Sequence, residues 1–424
     1  YTKFDGGSVK EGEGIAIYIS NDVSNFEIDS SVEFINQNHP NKFLISSSCN
    51  NFNIQDIRIS NIQFGLGIKG IQLNAGDVDI RNMFFNQCIT GIEVNSGVSQ
   101  STIENCIFSD CFCLERNNPK GQVIKISNQK STINKNRVNF TSNTNAIAGL
   151  LIDTHGEIDV THNEFIKIRK TDKDGGITIE DTQSERSDII LNFNYNLIED
   201  VYNIKFGVFA IIKQQQFNFD HNIIKDCIIK QYSCQINMES ASEEFGKQFT
   251  LTNLTLKNCE SNSLDGGGLG IWIKFHNSDG KFTFNDCHFE NNKAGPDNQG
   301  GYGGAFACGL TTVAKMELLF DGCKFIDNNA ALKGGALSLQ SARQIIITNC
   351  IFSNNQATNG GGAVYIHPHN KVGILPNCII SQCDFHNNKA TSNDGHAIFF
   401  EEGSVVYSDG TDIEFIRNTI SFTQ

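Results

Sequence analysis

Charge is scarce in this chain, and what there is leans acidic. Only 19% of its 424 residues are Asp, Glu, Lys or Arg, and the formal net charge is −14. Nucleic acid and anionic bilayers attract the opposite sign, so both are excluded as principal partners. Arginine occurs eight times, which is few for a site that grips a series of substrate carboxylates. No apolar run approaches the ~18 residues of a membrane-spanning helix, and no transmembrane segment is expected. The residues after Tyr1 do not follow a secretory leader pattern, so a mature or partial chain is expected. Proline (5) and tryptophan (1) are rare, while glycine (38), phenylalanine (32) and asparagine (50) abound. With 39% apolar residues the chain can bury a large core, but the composition is poor for helices with charged surfaces.

What the sequence has is a repeat, the feature that decides a fold before any local reading. Phe284-Asn-Asp-Cys-His-Phe289, Phe320-Asp-Gly-Cys-Lys-Phe325, Ile347-Thr-Asn-Cys-Ile-Phe352 and Ile380-Ser-Gln-Cys-Asp-Phe385 are one unit in four spellings. With its last apolar residue as an anchor, the series runs from Phe64 through Phe85, Phe108, Val138, Phe165 and Ile198 to Phe385 and Ile420. That makes thirteen anchors about 30 residues apart. The residue five before each anchor is always apolar, and the residue seven before is apolar in eleven of thirteen, with Ser101 and Ser131 the exceptions. Alternation at −7 and −5, then again at −2 and 0, describes two half-buried strands. The odd step between −5 and −2 demands a turn.

A third strand follows most anchors and opens on glycine, as in Gly70-Ile-Gln-Leu, Gly149-Leu-Leu-Ile and Gly335-Ala-Leu-Ser. Three short strands per 30-residue period predict an all-β fold: a right-handed parallel β-helix of about 13–14 rungs, each hydrogen-bonded to the next. The right hand follows from the strong preference for right-handed crossovers. One solenoid over 1–424 is expected, with irregular rungs over 1–56 and the strictest repeats over 285–400. The last rung, Ile413 to Ile420, reaches Gln424 before a glycine-led strand, which leaves an open sheet edge. The expected partners are therefore further repeats of a longer chain, or other copies stacked end to end.

In the strict stretch, Gly303-Gly-Ala-Phe306, Gly334-Gly-Ala-Leu337 and Gly361-Gly-Ala-Val364 alternate with Phe289-Glu-Asn-Asn292, Phe325-Ile-Asp-Asn328, Phe352-Ser-Asn-Asn355 and Phe385-His-Asn-Asn388. This pairing resembles the GGA[ILV] and FxxN repeats of the polymorphic outer-membrane proteins of chlamydiae, which also occur in large protist surface proteins. The resemblance implies a right-handed β-helix of the pectate-lyase-like kind, secreted or on a cell surface, with a structural or adhesive role. It does not extend to that family's membrane barrel.

Two positions carry polar ladders. At −2 stand Cys106, Asn136, Asn163, Asn196 and Asn222, then Cys287, Cys323, Cys350 and Cys383, and finally Asn418. At +3 stand Cys88, Cys111, Cys227 and Cys259, then Asn292, Asn328, Asn355 and Asn388. Inward polar groups at corners satisfy turn amides and one another, which makes both ladders structural. Cysteines one rung apart lie within disulfide distance, and Cys88–Cys111 and Cys227–Cys259 are the candidate bridges, while reduced thiols are expected at −2. Neither a catalytic set nor a metal or cofactor site is expected: Cys111-Phe-Cys113 is too tight for a zinc CxxC, and His367-Pro-His369 reads as a solvated loop pair.

An enzyme acting on acidic polysaccharide is the competing reading. Asp153, His155, Glu157, Glu180 and Asp181 would line its groove, but no catalytic motif accompanies them. A glycan binder would use Trp272, Tyr302 and Tyr365. Asn139-Phe-Thr and Asn253-Leu-Thr are the two glycosylation sequons, at Asn139 and Asn253.

Overall fold

The structure, a computed structural model, describes residues 2–5, 14–19, 22, 24–28, 32–35, 43–49, 51–55, 57–60, 69–86, 90–111, 122–140, 148–153, 156–170, 176–180, 190–203, 209–212, 216–229, 236–240, 248–261, 269–273, 279–295, 301–310, 315–340, 342, 344–367, 377–392, 395–400, 413–416 and 418–421. Among them there are strands and turns and no helix. The chain divides into two compact units, Tyr1–Val201 and Tyr202–Gln424. Each is a parallel β-solenoid.

In the first unit three ladders run in parallel, each made of strands one rung apart. The anchor ladder holds strands such as Phe84–Asn86, Ile107–Ser109 and Glu164–Ile166, with Phe85, Phe108, Val138 and Phe165 in register. The second ladder holds Gly76–Arg81, Val98–Glu104 and Lys130–Asn134, aligning Ile80, Ile103 and Ile133, and the glycine-led strands form the third. The second unit repeats this plan, with Phe289, Phe325, Phe352, Phe385 and Ile420 in one register. Two-residue strands make a fourth ladder: the first unit has one of them, Arg169–Lys170, and the second has the others, including Lys293–Ala294, Asn329–Ala330, Gln356–Ala357 and Lys389–Ala390.

The core is what the spacing predicts. Every anchor from Phe85 to Phe385 is at most 1% exposed, and every described side chain at −5 from Ile80 to Ile380 is fully buried. Identical residues in register stack like on like: the rings of Phe289, Phe325, Phe352 and Phe385 lie face to face at 5.0, 4.7 and 4.8 Å. Ser101 and Ser131, the polar exceptions at −7, are buried and pair through their hydroxyls at 2.6 Å, with Ser131 Oγ also donating to Asn128 Oδ1 at 2.6 Å.

The corners explain the wealth of asparagine. Nineteen described non-glycine residues have positive φ, all between 49° and 57°, and thirteen of them are Asn or Asp. They fall at −3, as Asn105, His162 and Asn349 do, and at +2, as Asp110, Asn291 and Asn354 do. One left-handed residue at each place turns the chain between strands, and Asn and Asp adopt that conformation at least cost.

One alignment needs correction. Phe64 was expected as the first anchor, but the residue in register with Phe85 is Ile59, followed down the ladder by Phe34 and Phe4. Ile54 takes the place at −5, opposite Ile80. Phe64 itself lies outside the described residues.

Candidate functional site

The two polar ladders sit immediately after the left-handed corner residues. In the asparagine runs each amide spans to the preceding rung: Asn163 Nδ2 donates to Ile133 O at 2.9 Å, and its Oδ1 accepts from Asn136 N at 2.9 Å and Asn136 Nδ2 at 3.0 Å. At +3, Asn328 Nδ2 donates to Phe289 O at 2.9 Å while its Oδ1 accepts from Asn292 N at 3.1 Å. These amides, nearly inaccessible to water, satisfy turn groups that no strand partner reaches.

Cysteine imitates asparagine in the same seat. The Cys323 thiol donates to Phe284 O at 3.3 Å, the carbonyl an asparagine amide would use, and Cys287 N–H faces the Cys323 sulfur. Cys259 likewise donates to Lys257 O at 3.3 Å and Cys227 to Lys225 O at 3.1 Å. Neither Cys111 nor Cys259 is disulfide-bonded, so the structure contains neither the Cys88–Cys111 nor the Cys227–Cys259 bridge. The cause is that each sulfur points at main-chain carbonyls in its own corner. Cys88 lies outside the described residues.

Burial pushes the isolated thiols of Cys106 and Cys378 up to about 12 and raises Cys308 further. In the column Cys287–Cys323–Cys350–Cys383 the sulfurs also act on one another. Cys287 is raised by its contact with Cys323 and by burial, and Cys350 by burial and its neighbouring thiols. Cys323 is lowered chiefly by the Cys287 thiol beside it, and Cys383 chiefly by the Cys350 thiol.

The residues singled out for sugar contact come together in part. Tyr302 and Tyr365 lie with ring centroids 6.2 Å apart, and the Tyr365 ring also meets His367 at 5.9 Å and Phe399 at 6.1 Å. Lys333 Nζ donates to Tyr365 Oη at 3.2 Å and lies 4.7 Å from its ring centroid. Register places Ser338, Tyr365 and Phe399 on the same face of the glycine-led ladder. Tyr365 is only 3% exposed, whereas Tyr302, Lys333, His367 and Phe399 are half-buried. Lys333, which lies in no motif of the sequence, joins the cluster because its short bridge with Tyr302 fixes that corner. Trp272 occupies the register position between Glu239 and Gly309.

Of the groove carboxylates, Asp153 and Glu180 are paired on adjacent rungs and Glu157 is exposed. His155 and Asp181 lie outside the described residues, as does His369. Among the described residues no three His, Cys, Asp or Glu side chains are arranged to hold a metal, and no helix is long and apolar enough to cross a membrane. His162 and His221 are exposed at left-handed corners, His162 stacking on Tyr195 at 5.0 Å. Asn253 is half-buried, with Nδ2 3.4 Å from Asp220 Oδ1. Asn139 is half-buried, with its side-chain oxygen covered, and lies between Ser109 and Ile166 in the register of the anchor ladder.

Residues 249–420 match the family described as right handed beta helix region. The fold is a right-handed parallel β-helix. That match encloses the strict repeats of 285–400 and supports the pectate-lyase-like architecture. No curated protein matches the chain.

Proposed function

We propose that this β-helix is a structural and adhesive protein of the cell surface or extracellular space, without catalytic activity of its own. The observation that carries the reading is how the polar residues of the repeat are used. The buried asparagines and cysteines of both ladders serve main-chain groups in successive corners, which makes them parts of a frame. A −14 charge keeps such a frame soluble and away from anionic surfaces. Asn139 and Asn253 are the acceptors for N-linked sugar in this reading. Glycopeptide masses at either residue in native material, together with surface labelling of intact source cells, test it; unmodified sequons and a wholly intracellular pool would refute it.

A second reading rests on the Tyr302–Lys333–Tyr365 cluster. An aromatic face beside a lysine suits a sugar ring bearing negative charge. A glycan array separates adhesion through sugars from a purely structural role. Incubation with polygalacturonate, watched for unsaturated product, tests the enzymatic alternative.

A further inference from the structure

Four cysteines in the second unit share one seat on consecutive rungs. Lys324 N donates to Cys287 O at 2.8 Å, Ile351 N to Cys323 O at 2.9 Å and Asp384 N to Cys350 O at 2.9 Å, so the four backbones are in step. Their side chains are in step as well. Each sulfur faces the carbonyl two residues upstream and the carbonyl at −5 of the preceding rung: Asn285 and Leu251 for Cys287 (3.4 and 3.3 Å), Asp321 and Phe284 for Cys323 (3.5 and 3.3 Å), Thr348 and Phe320 for Cys350 (3.1 and 3.7 Å), and Ser381 and Ile347 for Cys383 (3.2 and 3.5 Å). Sulfurs held alike are separated by the rung repeat, about 4.8 Å. Two metal–thiolate bonds of ~2.3 Å laid end to end span about 4.6 Å.

We propose that this column binds soft monovalent cations of the Cu(I) and Ag(I) class, each held linearly between the sulfurs of two successive rungs. Two-coordinate ions need only a pair of ligands, which distinguishes the site from one built of three or more. Thiolates select soft metals over ions that require a shell of oxygen ligands, and a pair of sulfurs suits an ion that needs only two ligands. Charge balance favours the monovalent ion in a buried site. Two thiols and one M⁺ give RS–M–S(H)R and release one proton, so the core keeps its net charge and no oxidation state changes. Four sulfurs have three gaps between them, but only the outer two fill without using a sulfur twice. The capacity is therefore two ions per chain, in Cys287–Cys323 and Cys350–Cys383.

The chain supplies its own control. Asparagine holds the same seat as cysteine in the run Asn136–Asn163–Asn196, so Cys→Asn replaces one ladder with another that this fold already uses. The full chain is first alkylated in its native state to block accessible thiols. It is then loaded with Ag(I) in chloride-free buffer, desalted, and measured for silver and for protons released. The wild type is expected to hold two more silver ions than the variant carrying Cys287→Asn, Cys323→Asn, Cys350→Asn and Cys383→Asn, to release one proton per ion, and to show two sulfur neighbours by X-ray absorption. Cys323→Asn alone leaves one complete pair and should bind one silver ion fewer than the wild type, a comparison that decides the matter should the fourfold variant not fold. Equal silver uptake by wild type and Cys323→Asn, or nitrogen and oxygen neighbours around the metal, would overturn the proposal.

Discussion

Removing the side-chain amide of Asn328 tests whether the ladders hold the corners together. Its Oδ1 accepts from Asn292 N and Asn292 Nδ2 at 3.1 and 3.0 Å, and its Nδ2 donates to Phe289 O and Asn355 Oδ1 at 2.9 and 3.0 Å. After Asn328→Ala two partners recover: Asn292 Nδ2 still reaches Leu256 O, and Asn355 Oδ1 still accepts from Asn328 N. Two do not. The Asn292 N–H and the Phe289 carbonyl lose the amide partner they have in the corner, at about 1–3 kcal/mol each, so a loss of about 4 kcal/mol is expected. Asn328→Cys should cost about half as much, because a thiol donates to one group and accepts from the other, as Cys323 does in its own corner, but more weakly. The assay is native-state hydrogen exchange at the Asn292 amide alongside chemical unfolding of the full chain. Exchange at that amide should quicken most in the alanine variant and by an intermediate amount in the cysteine variant. If alanine and cysteine are equal within about 0.5 kcal/mol, the account of the ladder is wrong.

Gly335→Ala would place a Cβ 2.1 Å from Gly362 O and 2.5 Å from Gln356 N, both immovable main chain, so it should cost at least about 3 kcal/mol in unfolding experiments. Gly322→Asn should instead change stability by no more than about 0.5 kcal/mol despite φ +66°, because other rungs place Asn253 and Asn349 in that corner and the nearest obstacle is the Asp286 side chain. Phe352→Ala, which breaks the ring stack between Phe325 and Phe385, should cost about 3–5 kcal/mol, and Phe352→Leu clearly less, by the same measurement. Alkali should weaken the fold. Cys106 and Cys378 stay protonated until about 12 when folded but ionise from 9.0 when unfolded, so their stabilisation is complete below pH 9 and is lost between 9 and 12. At pH 10.5 the loss is about 2 kcal/mol per thiol, and Cys378→Val should flatten the fall of the thermal midpoint between pH 8 and 10.5.

The interior could be read from the sequence because its rule is simple: apolar at −7, −5 and 0, with a turn between. The same rule misplaced the first anchor, since it is nearly unchanged by a shift of five residues: Ile59 is apolar and so is Phe64. Only the register with Phe85, a long-range fact, resolves that ambiguity. The fourth ladder does leave a mark in the sequence, the recurring alanine at +5 seen in Ala294, Ala330, Ala357 and Ala390, each 1% exposed. Two-residue strands are too short for alternation to betray them. The thiol column was visible as a ladder, but its common side-chain orientation was not, because that depends on which carbonyls each sulfur faces. Lys333 had no motif at all; it joins Tyr302 and Tyr365 through pairing between rungs.

The corner contact Asn292 N to Asn328 Oδ1 closes at 3.1 Å across 36 residues, and its counterpart from Asn328 to Asn355 closes at 3.0 Å across 27. Nine extra residues are absorbed without disturbing the bond. Growth and shrinkage of the chain are thereby confined to the connections outside the corners, and each rung can be edited without renumbering its neighbours. Those connections are therefore the natural places to graft foreign segments when this chain is used as an engineering scaffold.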